Sequence, residues 1–99
     1  MKNVIISADG DKKVFAVPDP VADSLSDYCT EFCDKWLQSN PDAKKHRKAF
    51  GVLYNEDDFI EYLNTWIFPD IKSVLIKNLG NINYNNIPAE YSDCPRFNF

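Results

Sequence analysis

The sequence has only three glycines and one histidine among its 99 residues. So few glycines leave no glycine-rich loop to cradle a phosphate, and a single histidine leaves no histidine-based metal motif. There is no nucleophile elbow, and no pair of carboxylates stands out as an acid and a base in an apolar pocket. We therefore expect a protein that is not an enzyme and that uses no cofactor.

Cysteines and long apolar runs are also scarce. Cys29, Cys33 and Cys94 are odd in number and lack the spacing of a disulfide framework or a zinc site, so we expect free thiols in a reducing compartment. No apolar run approaches the roughly 20 residues that cross a bilayer. The N-terminal run Val4-Ile5-Ile6 is short and lacks a signal-peptide cleavage site. We expect a cytoplasmic protein that does not bind membranes.

What the chain does contain is apolar and acidic. Apolar residues make up 44% and aromatic residues 14% of the sequence, which is typical of a folded chain, and the length suits a single domain over 1–99. The net charge is -4, but four of the 11 basic residues lie together within 44–48, which leaves seven against 15 acidic ones elsewhere. An acidic body repels nucleic acid and speeds encounter with cationic proteins. We expect a basic protein partner and no direct contact with nucleic acid.

Several segments show strand patterns. Val4-Ile5-Ile6 and the run 14–17 are separated by an Asp-Gly turn, which predicts an N-terminal hairpin. The segments 50–54 and 73–76 are further strand candidates. The stretch 81–99 has no clear period but carries many apolar anchors, so we expect an ordered tail that wraps the domain.

Two helices are predicted. The first runs from about Pro20 to Leu37, with Asp19 as the expected N-cap, and Asn40-Pro41 ends it and begins one more short helical turn. The second is capped by Asn55 and begins with three acidic residues, where the helix dipole favours negative charge. Its apolar residues recur at helical spacing: Phe59, Tyr62, Leu63, Trp66 and Ile67. Trp66 is expected to lie in the core together with Phe59 and Tyr62.

These elements predict an α+β fold, since the helices need an apolar surface to cover. The hairpin and one or two further strands would form a small antiparallel sheet packed against two amphipathic helices, with the tail 81–99 around them. A parallel pairing of the strand after the first helix stays open.

An acidic stripe follows the first helix: Asp19, Asp23, Asp27, Glu31 and Asp34. At about 100° per residue it lies opposite the apolar residues Val21, Leu25, Tyr28, Phe32 and Trp36. The stripe is typical of a solvated helix face, and a charge-matched surface for a basic partner is the alternative. Like charges four apart cost a few tenths of a kcal/mol per pair. Lys35 is the one compensating cation nearby, with Lys12 or Lys13 possible through the fold.

If the acidic residues bind a basic partner, the residues that contact it can be named. The candidate partner contacts are Asp23, Asp27, Glu31 and Asp34 of the first helix and Glu56, Asp57, Asp58 and Glu61 of the second. The basic cluster, 44–48, has no interleaved aromatic residues, so we interpret it as a solvated loop, with contact to phosphate or to an acidic partner as the alternative. His46 within it is expected to be exposed and without a role.

Several runs carry a resemblance: Val17-Pro18-Asp19, Val21-Ala22-Asp23, Tyr28-Cys29, Glu31-Phe32-Cys33-Asp34, Trp36-Leu37, Asp58-Phe59-Ile60-Glu61-Tyr62-Leu63-Asn64 and Cys94-Pro95-Arg96-Phe97-Asn98-Phe99. In these runs the chain resembles a group of short, uncharacterised acidic bacterial proteins. In size and acidity it is also similar to immunity proteins of bacterial toxin systems and to small phage inhibitors of host defence. The resemblance implies an inhibitor that neutralises a basic partner, first a toxin nuclease domain and second a defence nuclease, as an anti-CRISPR protein does. A small regulatory or structural homodimer stays open, as does an enzyme of unknown type.

Overall fold

The computed structural model describes all residues, 1–99, and begins with the predicted hairpin. Strand β1 (Lys2–Ser7) pairs antiparallel with β2 (Lys13–Val17), and Ile5 lies opposite Val14. Asp9 in the connecting turn has a φ of 59°, a left-handed conformation that aspartate tolerates better than most side chains. The Asp-Gly turn signal therefore predicted the hairpin correctly.

The remaining sheet comes from the C-terminal part of the chain. Strand β5 (Val74–Asn78) pairs antiparallel with β2, and β6 (Arg96–Asn98) pairs parallel with β1, giving the order β5-β2-β1-β6. The predicted α+β class is confirmed, but the sheet is mixed and not antiparallel throughout. The parallel pair is β1 with β6, and a parallel pair needs a long connection. Here the connection is the whole chain between these two strands, 8–95.

Both faces of the sheet are covered. Val4 and Ile6 share a buried cluster with the helical residues Phe32 and Phe59. Ile5 lies on the other face, because side chains alternate along a strand, and it is also completely buried. The connection 79–95 runs from β5 at one edge of the sheet to β6 at the other.

The first helical region is divided, where one continuous helix was predicted. Helix α1 (Asp19–Asp23) ends at Ser24, whose φ and ψ of -135° and 44° interrupt the helix, and α2 (Leu25–Thr30) then begins. Asp19 is the first helical residue and Pro18 holds the N-cap position, so the prediction of an aspartate N-cap was wrong.

The region continues as a π-helical turn (Glu31–Trp36) and ends with α3 (Leu37–Ser39). We call 25–39 the first arm. A 3₁₀ turn (Pro41–His46) follows, as predicted, with the Asn40 side chain accepting a hydrogen bond from the Asp42 N–H. The strand candidate at 50–54 pairs only over β4 (Gly51–Val52) with β3 (Arg47–Lys48), in a separate two-stranded ribbon.

The second helix begins as predicted. The Asn55 side chain accepts a hydrogen bond from the Asp58 N–H, and the Asp58 carboxylate accepts one from the Asn55 N–H. This reciprocal pair caps the N-terminus of α4 (Glu56–Tyr62). A second π-helical turn (Leu63–Ile67) continues it, and the Phe68 N–H reaches the Leu63 carbonyl at 2.7 Å. We call 56–67 the second arm.

The core is aromatic where the two arms meet. The Phe32 ring lies 5.5 Å from the Phe59 ring and 5.0 Å from the Tyr62 ring, measured between centroids. Phe99, the last residue, lies 5.9 Å from Phe32. The C-terminal tail therefore packs into the core as well as closing the sheet. None of the helices is long and apolar enough to cross a membrane.

Candidate protein-binding surface

The acidic stripe is exposed to solvent along its whole length. Every carboxylate of the stripe lies on an exposed residue, on both sides of the break at Ser24. The opposite sector holds Val21, Leu25 and Phe32 in the core. The wider π-helical turn after Thr30 changes the angular spacing but leaves Glu31 and Asp34 in solvent.

Ion pairs neutralise one end of this stripe. The N-terminal ammonium lies 3.0 Å from Asp19, and the Lys2 ammonium lies 2.7 Å from Asp23. These cations were not among those expected to compensate the stripe, because their proximity depends on how β1 lies beside α1. Lys35 pairs with Glu31 at 3.1 Å, as expected. Asp27 and Asp34 form no salt bridge, so the unpaired carboxylates of the stripe lie on the first arm.

The four acidic candidates of the second arm have different roles. Glu56 is only 8% exposed, and it shares the Lys13 ammonium with Asp57 at 3.1 and 3.0 Å. Partial burial lowers the pKa of Lys13, but the two carboxylates outweigh it and hold the pKa above its usual value. Asp58 caps its own helix. Glu56 and Asp58 are therefore engaged within the fold, and their contact with a partner stays a prediction.

Glu61 and Asp57 are the exposed carboxylates of the second arm. Glu61 lies 3.4 Å from Lys45 of the basic cluster, and both side chains are open to solvent. Such a pair contributes little to stability and is easily exchanged for another. Glu61 therefore remains available to a partner, while its Lys45 contact joins the second arm to the 3₁₀ turn.

An apolar groove lies between the two arms. Its walls are Tyr28, Tyr62 and Ile67, its rim carries Asp27 and Glu31, and its volume is about 210 Å³. Tyr62 lies deepest, and burial together with the nearby Glu31 charge raises the pKa of its hydroxyl. The groove brings two stripe carboxylates next to aromatic surface.

Trp66 and Ile67 are exposed, although helical spacing placed them in the core. Trp66 is 48% and Ile67 is 38% exposed. Both lie on the π-helical turn of the second arm, and the Trp66 ring lies 6.4 Å from the Trp36 ring, measured between centroids. Large exposed aromatic residues are frequent energetic anchors of interfaces.

His46 is buried, against the expectation of an exposed side chain. Its Nδ1 lies 3.1 Å from the Leu53 carbonyl, and the Leu53 N–H donates to the His46 carbonyl at 2.8 Å. The β3–β4 ribbon folds the chain back over the ring, and Trp36 packs beside it. His46 therefore has a structural role at the end of the 3₁₀ turn.

Among the other residues of the basic cluster, Arg47 forms hydrogen bonds within the fold, whereas Lys44 and Lys48 are exposed. The Arg47 guanidinium donates hydrogen bonds from Nη1 to the carbonyls of Leu37 and Asn40, at 3.0 and 2.9 Å. These carbonyls at the C-terminal end of the first arm thereby gain a hydrogen-bond donor that the helix itself does not supply. Lys44 and Lys48 remain exposed. The positive charge of Arg47 also lies where the helix dipole favours it.

The three cysteines are free thiols. Cys29 is completely buried in the core, whereas Cys33 and Cys94 are partly exposed. Burial raises the pKa of all three thiols, most strongly that of Cys29. No three metal-binding side chains converge in the structure.

Comparison with protein families, curated proteins and solved structures finds no match to this chain.

Proposed function

We propose that this protein binds a basic protein and neutralises it by covering its functional surface. The observation that carries the proposal is the pair of unneutralised carboxylates, Asp27 and Asp34, on a helical arm that also borders an apolar groove. Charge of one sign raises the rate of encounter with an oppositely charged partner. Apolar and aromatic surface beside it supplies the burial that holds a complex together.

A nuclease is the partner that this chemistry fits best. Nucleases bind phosphates through cationic grooves, so an inhibitor with carboxylates along a rigid arm competes for the same surface. We propose an immunity protein for a bacterial toxin nuclease. A phage-encoded inhibitor of a defence nuclease, of the anti-CRISPR kind, would use the same charges, and the neighbouring genes discriminate between the two.

One observation favours a homodimer as the second candidate. Strand β5 lies at the edge of the sheet, and its residues Val74, Leu75 and Ile76 are each about half exposed, at 49%, 53% and 47%. An exposed apolar edge is a template for pairing with another strand. Measurement of the mass in solution, with Leu75→Lys for comparison, tests this candidate.

The direct test of the leading proposal is affinity capture from the native host with mass spectrometry. The wild type is compared with Asp27→Lys/Glu31→Lys. The matched control is Glu90→Lys/Asp93→Lys, which makes the same change in net charge at exposed tail residues that form no salt bridge.

We expect a basic protein to be retained by the wild type and by the tail variant and to be lost from the stripe variant. Breaking a desolvated charge pair at an interface costs about 2–5 kcal/mol, whereas rim charges mainly change the association rate and its salt dependence. Equal retention by all three proteins would show that the acidic stripe is only a solvated helix face.

A further inference from the structure

The groove between the two arms has the size of a side-chain site. Its volume of about 210 Å³ is below the roughly 300–1,000 Å³ of pockets that hold small-molecule ligands. A single long side chain from a partner protein fits such a groove better than a cofactor does.

The lining of the groove selects the chemistry of that side chain. Tyr28 offers aromatic surface and Ile67 offers aliphatic surface, while Tyr62, which is only 3% exposed, lies at the floor. Asp27 and Glu31 also line the groove. A matching side chain has an apolar stem and a cationic head. Arginine meets this description best, because its planar guanidinium stacks on aromatic rings and donates to carboxylates in pairs.

The carboxylates on the rim are free to receive a cation. Asp27 forms no salt bridge within the protein. Glu31 is paired with Lys35 at 3.1 Å, but both side chains are more than half exposed, at 53% and 72%. An exposed pair of this kind is weak, so an incoming guanidinium can replace the lysine.

We propose that this groove receives an arginine side chain of the basic partner and is the central anchor of the complex. The proposal rests on the function proposed above and specifies it. The acidic stripe as a whole would attract any basic surface, whereas the groove would distinguish arginine from lysine. Both arms contribute to it, so it exists only in the folded protein.

Two peptides of equal charge test this selectivity. Acetyl-(Gly-Arg)₃-amide and acetyl-(Gly-Lys)₃-amide are titrated into ¹⁵N-labelled protein at low ionic strength, and amide shifts are followed by NMR. We expect the arginine peptide to bind more tightly by up to about five-fold, which is the contribution of a whole exposed cation–π contact. Its largest shifts should lie at Tyr28, Tyr62 and Ile67.

Asp27→Asn and Asp34→Asn form a matched pair of variants. Both remove one unpaired carboxylate of the stripe, but only Asp27 borders the groove. We expect the preference for arginine to disappear in Asp27→Asn and to persist in Asp34→Asn. The dispersion of the NMR spectrum shows for each variant that the fold is retained.

The possible outcomes distinguish a failure of arginine selectivity in the groove from a failure of the proposed function. If both peptides bind equally, or if the two variants behave alike, the groove does not select arginine, while binding of basic partners by the stripe stands. If neither peptide binds to the wild type at low ionic strength, the acidic stripe itself fails as a binding surface, and both proposals are overturned.

Discussion

Replacement of Phe99 by alanine should destabilise the protein strongly, although Phe99 is the last residue of the chain. Its ring lies 5.9, 5.8 and 5.5 Å from the rings of Phe32, Phe59 and Tyr54. Its N–H also donates to the Ser7 carbonyl at 2.8 Å and so extends the pairing of β6 with β1. The ring connects the tail, both arms and the sheet.

The expected cost follows from the burial of this ring. Removing a fully buried phenylalanine costs about 3–5 kcal/mol, and Phe99 is half-buried. Aromatic pairs add about 0.5–1.5 kcal/mol beyond burial, so we expect a loss of roughly 2–3 kcal/mol. For a domain of this size that lowers Tm by about 10–20 °C.

Thermal and urea unfolding followed by circular dichroism measure this loss. Phe50→Ala is the matched control, since Phe50 is 81% exposed and the same substitution there should change the free energy of unfolding by less than about 0.5 kcal/mol. If Phe99→Ala and Phe50→Ala were equally stable, the tail would not be part of the core, and the reasoning from ring packing would fail.

Two further predictions concern buried polar groups. Burial, and to a smaller extent the neighbouring thiol of Cys33, raises the pKa of Cys29 above its ordinary value of 9.0. The folded state then holds this proton more tightly than the unfolded chain does, so the stabilisation is complete below that value and is lost as the pH rises past it. Urea midpoints should therefore fall more steeply above about pH 9 for wild type than for Cys29→Ala, and identical slopes would contradict this. Glu56→Gln should lower the free energy of unfolding by about 1.5–3 kcal/mol, because it breaks the nearly buried ion pair with Lys13. The exposed control Asp57→Asn should lower it by less than about 1 kcal/mol. Equal losses in urea unfolding would show that burial does not set the strength of the contact with Lys13.

Two predictions that depended on neighbouring residues in the chain succeeded, although the N-cap predicted at Asp19 was wrong. The Asp-Gly turn between two β-branched runs indicated the hairpin, and Asn55 before three acidic residues indicated the start of the second arm. In both cases the groups that interact are at most a few residues apart. Turn and cap preferences act over that distance, so they can be recognised without the fold.

The predictions about the exposure of His46 and Trp66 were wrong. His46 lies in a lysine-rich run, yet the β3–β4 ribbon covers it. Trp66 has the spacing of a core residue, yet the π-helical turn leaves it half exposed at the end of the second arm. Helical spacing places a residue correctly only where the helix keeps a regular period. A π-helical turn interrupts that period and has no recognised sequence signal of the kind that caps have.

The sequence by itself determined the α+β class, the two amphipathic segments and the exposed acidic stripe, because hydrophobic period and charge spacing are properties of neighbouring residues. Only the tertiary structure decided which carboxylates stay free. It placed Lys2 on Asp23 and Lys13 on Glu56, left Asp27 unpaired, and brought the two arms together around the groove. Pairing and burial depend on contacts between segments far apart in the chain, and these exist only once the sheet, the arms and the C-terminal tail have packed together.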